Sequence, residues 1–134
     1  MRIALALLLV AACSKSEPAK SADPTQPATS PAAAAAPASK DPAKAKEMIA
    51  SGATVIDVRT TEEFSGDHLV QATNIPVDQI GSRLSDVEKL VGGDKSKPVV
   101  VYCAAGGRAG KAKKQLDAEG YTNVVNGGGL DDLK

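Results

Sequence analysis

Pro98-Val99-Val100-Val101-Tyr102-Cys103-Ala104-Ala105-Gly106-Gly107-Arg108-Ala109-Gly110 is the stretch that decides the fold of this 134-residue chain. Residues 99–102 are an unbroken β-branched and aromatic run, the composition of a short, fully buried strand. Cys103 stands where that strand stops. Two alanines and two glycines follow, then Arg108, and from Ala109 the pattern turns helical: Ala109, Ala112 and Leu116 share a face, with lysines between them. A thiol therefore sits at a strand-to-helix turn, under a helix N-terminus. Backbone N–H groups converge at such a turn and the helix dipole favours negative charge there. The spacing predicts a cysteine with a lowered pKa, nucleophilic at neutral pH.

Working outward from this stretch, strands and helices alternate. Asp41 is an N-cap with Pro42 in the first helical turn; Ala45, Met48 and Ile49 form one face, and Gly52 ends the helix. Residues 54–58 read as a strand. Thr60 and Glu63 form a capping box that opens a short helix. A short strand at 73–75 closes at Pro76. From Asp78 the pattern predicts a longer helix with Ile80, Leu84, Val87 and Val91 on one stripe and Gly92-Gly93 as its stop. Beyond the cysteine helix, which Gly120 ends, residues 122–125 read as the last strand. Gly127-Gly128-Gly129 reads as a turn before a short C-terminal helix. The expected class is α/β: one domain over 41–134, a parallel sheet with helices on both faces.

The N-terminal third reads differently. Ile3 to Ala12 is an apolar run of ten residues behind Arg2, too short to span a bilayer and suited to a signal-peptide core. It ends Leu9-Val10-Ala11-Ala12-Cys13, which resembles a bacterial lipobox. Residues 1–13 are thus expected to be a lipoprotein signal peptide, with Cys13 as the lipidated residue. Residues 14–40 carry Pro18, Pro24, Pro27, Pro31 and Pro37 and no large apolar side chain, so they are expected to be a disordered Ala/Pro/Ser/Lys-rich tether. The expected location is the bacterial periplasm, with the domain attached to a membrane through the lipid.

Charge narrows the functional classes. Lys and Arg balance Asp and Glu over the whole chain, and residues 41–134 are slightly acidic. With 2% aromatic residues, there is neither a basic surface nor a stacking platform for nucleic acid. Locally, Arg108, Lys111, Lys113 and Lys114 lie in a segment without an acid, a field that suits a small anion. For each lysine singly, a solvated helix face is the plainer reading. The two cysteines, Cys13 and Cys103, are not expected to pair.

The loop Cys103-Ala104-Ala105-Gly106-Gly107-Arg108 resembles the active-site loop of the rhodanese family of sulfurtransferases: a cysteine, four residues and an arginine, with glycine three after the cysteine. Val55-Ile56-Asp57-Val58-Arg59, Glu63-Phe64, His68-Leu69, Ala72-Thr73-Asn74-Ile75-Pro76 and Gly120 to Leu130 are similar to further family stretches, in the family's order. The likeness is greatest to small, single-domain periplasmic members of the phage-shock type. Three features depart from the family pattern: Ala109 stands where Ser or Thr is usual, Asp67 and Val70-Gln71 alter the usual Gly-His-Ile-Pro-Gly-Ala run, and no tryptophan follows the final glycines.

The resemblance implies a double displacement. The Cys103 thiolate attacks the outer sulfur of thiosulfate or a similar sulfane donor, sulfite leaves, and a thiol or cyanide then takes the sulfur from the Cys103 persulfide. It implies further that the loop residues Ala104, Ala105, Gly106, Gly107 and Ala109 hold the anion through N–H groups and that Arg108 helps to bind the donor. No metal or organic cofactor is called for, and the protein is expected as a monomer. Secondary candidates are Asp57, Arg59 and His68. For Arg59 an ion pair with Asp57 or Glu63 is the plainer reading, and for His68 a loop hydrogen bond. Two alternatives stay open: a tethered, non-catalytic sulfur- or partner-binding module, and a phosphatase or arsenate reductase, whose related loops place five residues between cysteine and arginine where this chain has four.

Overall fold

The computed structural model describes residues 39–134. The expected signal peptide, Cys13 and the expected tether up to residue 38 lie outside the described residues.

Four parallel strands form the sheet: β1 (Thr54–Asp57), β2 (Ala72–Asn74), β3 (Val99–Cys103) and β4 (Val124–Gly129), in the order β2-β1-β3-β4. Around them lie α1 (Pro42–Ala50), α2 (Thr61–Gly66), α3 (Leu84–Leu90), α4 (Gly107–Ala118) and α5 (Leu130–Leu133). β1 and β3 are adjacent, with Asp57 beside Tyr102. The chain leaves β1 toward one edge of the sheet and returns as β3 to build the other. The crevice between the C-terminal ends of β1 and β3 is therefore the switch point at which open parallel sheets bind ligands.

Alternation along β3 divides the core in two. Val99, Val101 and Cys103 face one cluster with Ile56, Ile80, Val87, Val91, Ala109, Ala112 and Leu116. Val100 and Tyr102 face the other, with Ala45, Met48, Val55, Leu130 and Leu133. A strand buried on both faces needs the apolar run seen at 99–102. The local signals hold as well. The Asp41 carboxylate accepts the Lys44 N–H at 2.9 Å, and Thr60 and Glu63 cap α2 reciprocally.

Two expectations are corrected. The helix expected from Asp78 is not continuous: two 3₁₀ turns, Val77–Gln79 and Gly81–Arg83, precede α3. Gly81 is a poor helix former, and the Ser82 hydroxyl donates to the Gln79 carbonyl at 3.0 Å, offering the backbone a local alternative to the helix. The apolar stripe still points inward, with Ile80, Val87 and Val91 fully buried. The second correction concerns Gly127-Gly128-Gly129, which belongs to β4 rather than to a turn. The strand runs on past Asn126, and a register shift between Val101 and Cys103 brings Gly129 beside Cys103.

Candidate active site

Cys103 ends β3 with 1% of its surface exposed, and its loop wraps over the sulfur. The Gly106 N–H donates to Sγ at 3.0 Å. Gly106 adopts φ 98°, a left-handed conformation that turns the loop back into α4. A side chain there would be strained, and its Cβ would stand 3.2 Å from the Gly128 Cα. Burial pushes the thiol pKa up, but the N–H groups of Ala109, Ala105, Gly106 and Arg108 outweigh it, and the net shift is downward. Of the loop residues expected as an anion cradle, Ala105, Gly106, Arg108 and Ala109 thus act on the sulfur through their N–H groups, and Ala104 and Gly107 are not among them. Cys103 is the free cysteine among the described residues.

β4 holds this loop from behind. The buried Asn126 donates from Nδ2 to the Gly106 carbonyl at 3.0 Å, and its Oδ1 accepts the Gly128 N–H at 3.0 Å. At Gly129 a Cβ would fall 2.5 Å from the Ala104 carbonyl oxygen. Sequence reasoning missed these roles; the available signal was a lone polar residue, Asn126, interrupting an apolar strand. Lys40, expected at the end of the tether, is also involved. Its ammonium pairs with Asp132 at 3.0 Å, and its stem lies against Gly106 and Gly128.

Arg108 is half-exposed beside the sulfur and is not alone. Its Nη1 and Nη2 donate to the two Glu63 oxygens at 2.6 and 2.8 Å. Mainly because of this hydrogen bonding, the Glu63 carboxyl is pulled down to about 2. The sequence showed Glu63 as a helix cap but not as the partner of Arg108, a contact across 45 residues.

Asp57 and Arg59 form a buried clasp. Arg59 Nη2 reaches Asp57 Oδ2 at 2.8 Å, Nε lies 3.0 Å from the same oxygen, and Nη2 also donates to the Asp67 carbonyl at 2.5 Å. This is the structural ion pair expected from the sequence. His68 is exposed, stacked on Phe64 at 3.9 Å, with Nδ1 2.8 Å from the Phe64 carbonyl. These contacts match the loop hydrogen bond expected of it. Of the α4 lysines, Lys113 pairs with Asp117 at 2.7 Å, while Lys111 and Lys114 are exposed. Among the described residues no group of three or more His, Cys, Asp or Glu side chains could hold a metal ion.

The rhodanese-like domain family matches residues 41–132, which take in the whole sheet and every helix but the last residue of α5. The chain belongs to that family. Thiosulfate sulfurtransferase PspE of Escherichia coli is 41% identical to this rhodanese-like chain over 78 residues, 58% of this chain and 71% of that protein. A solved structure described as a rhodanese with anions from E. coli superimposes with a TM-score of 0.54 at 40% identity, covering 60% of this chain and 91% of that one. The thiosulfate:glutathione sulfurtransferase of Saccharomyces cerevisiae is 33% identical over 77 residues, 52% of this chain and 55% of its own length. By family and relatives this rhodanese-like domain is a transferase of the thiosulfate sulfurtransferase-like kind.

Proposed function

We propose that the domain moves a sulfane sulfur from thiosulfate or a similar donor to a thiol or cyanide through a persulfide on Cys103. The observation that carries this reading is the cradle around Sγ: a buried sulfur with the Gly106 N–H at 3.0 Å, at the start of the 12-residue helix α4. In the first step the Cys103 thiolate attacks the outer sulfur of the donor. The donor's sulfur–sulfur bond breaks, and sulfite leaves with the bonding pair. The loop N–H groups then face the terminal sulfur of the persulfide anion, and charge-assisted hydrogen bonds of this kind are the stronger ones. In the second step the acceptor attacks that terminal sulfur and Cys103 leaves as thiolate. A thiol acceptor fits the reaction named for the yeast relative.

The four-residue spacing from Cys103 to Arg108 supports a sulfur-sized cradle over a phosphate-sized one. Intact-mass measurement tests the reading. Thiosulfate should add one sulfur to the protein, cyanide should remove it, and Cys103→Ala should prevent both. Thiocyanate production by pure Cys103→Ala protein would refute it.

The same proposal extends to location. The segment Leu9 to Cys13 supports lipidation at Cys13 and attachment of a monomeric domain at the periplasmic face of a bacterial membrane. Among the described residues no helix is long and apolar enough to cross a membrane.

A further inference from the structure

Arg108, the one strong cation at the sulfur, is already engaged. Both terminal nitrogens of its guanidinium donate to Glu63, one to each carboxylate oxygen, the fork-on-carboxylate geometry that fixes orientation as well as charge. Glu63 is anchored from its other side. Its Oε2 accepts the Thr60 N–H at 3.1 Å, and its own N–H donates to the Thr60 hydroxyl at 3.3 Å. The carboxylate cannot swing away without undoing the N-terminal cap of α2. The charge of the Cys103 thiolate adds a smaller upward pull on the guanidinium pKa to that of Glu63.

The three side chains at the site therefore sum to one negative charge when the thiol is ionised. A helix N-terminus returns only about half a positive charge. The α4 lysines do not restore the balance, because Lys113 is paired with Asp117 and Lys111 and Lys114 are exposed to screening solvent. Thiosulfate is a dianion and must approach against this sum.

We infer that Glu63 is a specificity-determining residue, which by holding and neutralising Arg108 sets the site against dianionic sulfur donors and toward hydropersulfides. This rests on the sulfurtransferase reading of Cys103. With a hydropersulfide R–S–SH, the thiolate attacks the terminal sulfur, the donor's S–S bond breaks, and R–S⁻ leaves with the bonding pair. Cys103 gains one sulfur with its proton and becomes Cys–S–SH, and no outside oxidant or reductant is needed. The leaving group is a monoanion, so the site never meets two charges from the donor.

The test compares thiosulfate with benzyl hydropersulfide on wild type and Glu63→Gln, reading Cys103 persulfidation. Glutamine at this position retains the capping box and removes one charge. Glu63→Gln should raise kcat/KM for thiosulfate about tenfold and make it fall with salt, while changing the hydropersulfide rate less than twofold. A purely structural Glu63 would shift both donors alike. Wild-type protein provides a measurement that needs no variant: its kcat/KM for thiosulfate should hold level or rise with ionic strength. A steep fall with salt in wild type overturns the inference, as does a Glu63→Gln loss shared by both donors or confined to thiosulfate. If neither donor loads Cys103 in wild type, the sulfurtransferase reading itself fails.

Discussion

Gly129→Ala separates the shape of the cysteine loop from the stability of the sheet behind it. Gly129 has φ −90° and ψ 162°, extended values open to alanine, so the change introduces no backbone strain. The new Cβ would stand 2.5 Å from the Ala104 carbonyl oxygen. Carbon–oxygen contacts settle at about 3.3 Å, so loop and strand must part by about 0.8 Å. Ala104 follows Cys103 directly, and the displacement enters the N–H cradle. Overpacking of this kind costs about 1–3 kcal/mol, and a misplacement near 1 Å at reacting groups costs about a hundredfold in rate. We expect a melting temperature lower by about 4 °C or more. Sulfur loading should be slower by about ten- to a hundredfold, with the thiol titrating at higher pH. Gly127→Ala is the control. Its Cβ would meet Leu133 at 3.0 Å, Val100 at 3.2 Å and Ala45 at 3.3 Å, all on the sheet face away from Cys103, so it should destabilise without moving the thiol titration. The assays are thermal melting and the pH dependence of iodoacetamide alkylation. A folded Gly129→Ala protein with wild-type alkylation kinetics and sulfur transfer would refute the assignment of loop shape to β4.

Asp57→Asn breaks a fully buried ion pair and should cost about 3 kcal/mol or more in urea unfolding, leaving the alkylation pKa unchanged in whatever fraction is folded. In wild type, alkylation of Cys103 should rise with pH through a midpoint below the ordinary thiol value of 9.0 and then level off; a midpoint at or above 9.0 would contradict the cradle. Glu63 has a depressed folded-state pKa, so its contribution to stability is present above about 4.5 and is lost as pH falls toward about 2. Acid unfolding of Glu63→Gln should accordingly show a weaker pH dependence across that window than wild type. Cys13→Ser should abolish labelling by a fatty-acid probe in cells while sulfur transfer persists; labelling of the variant would contradict lipidation at Cys13.

Local chemistry made much of this fold legible. The buried run at 99–102, the Asp41 cap, the Thr60 and Glu63 capping box and the Ala109, Ala112 and Leu116 face each act within a few residues, and each appears where expected. The helix expected from Asp78 failed because the inward stripe fixes only which residues are buried. Successive 3₁₀ turns meet the same burial of Ile80 and Val87 while avoiding a helical Gly81. Of the candidate site, the closeness of Cys103 and Arg108 was legible, because they lie in one segment. Its supports were not. Glu63, Asn126 and Gly129 come to the loop from other strands and helices, and no local rule joins positions so far apart in the chain. Three glycines in a row look like a turn on local grounds, because the close approach that requires Gly129 is made by Ala104, 25 residues away.

The buried position of the sulfur makes those supports part of its chemistry. At 1% exposure an isolated thiol would hold its proton more tightly than in water, and burial alone does push Cys103 that way. Only convergent N–H groups reverse the sign. They converge because the loop turns left-handed at Gly106, where a side chain would be strained and its Cβ would stand 3.2 Å from the Gly128 Cα. The buried Asn126 donates to the Gly106 carbonyl from β4, holding that peptide while the Gly106 N–H donates to the sulfur. The Cys103 thiol is carried by β3, but its ionisation depends on β4. A β4 substitution that presses on the cysteine loop without touching Sγ should therefore move the thiol pKa, whereas a β4 substitution that presses on the opposite core should move stability alone, and the pair Gly129→Ala and Gly127→Ala makes that distinction measurable.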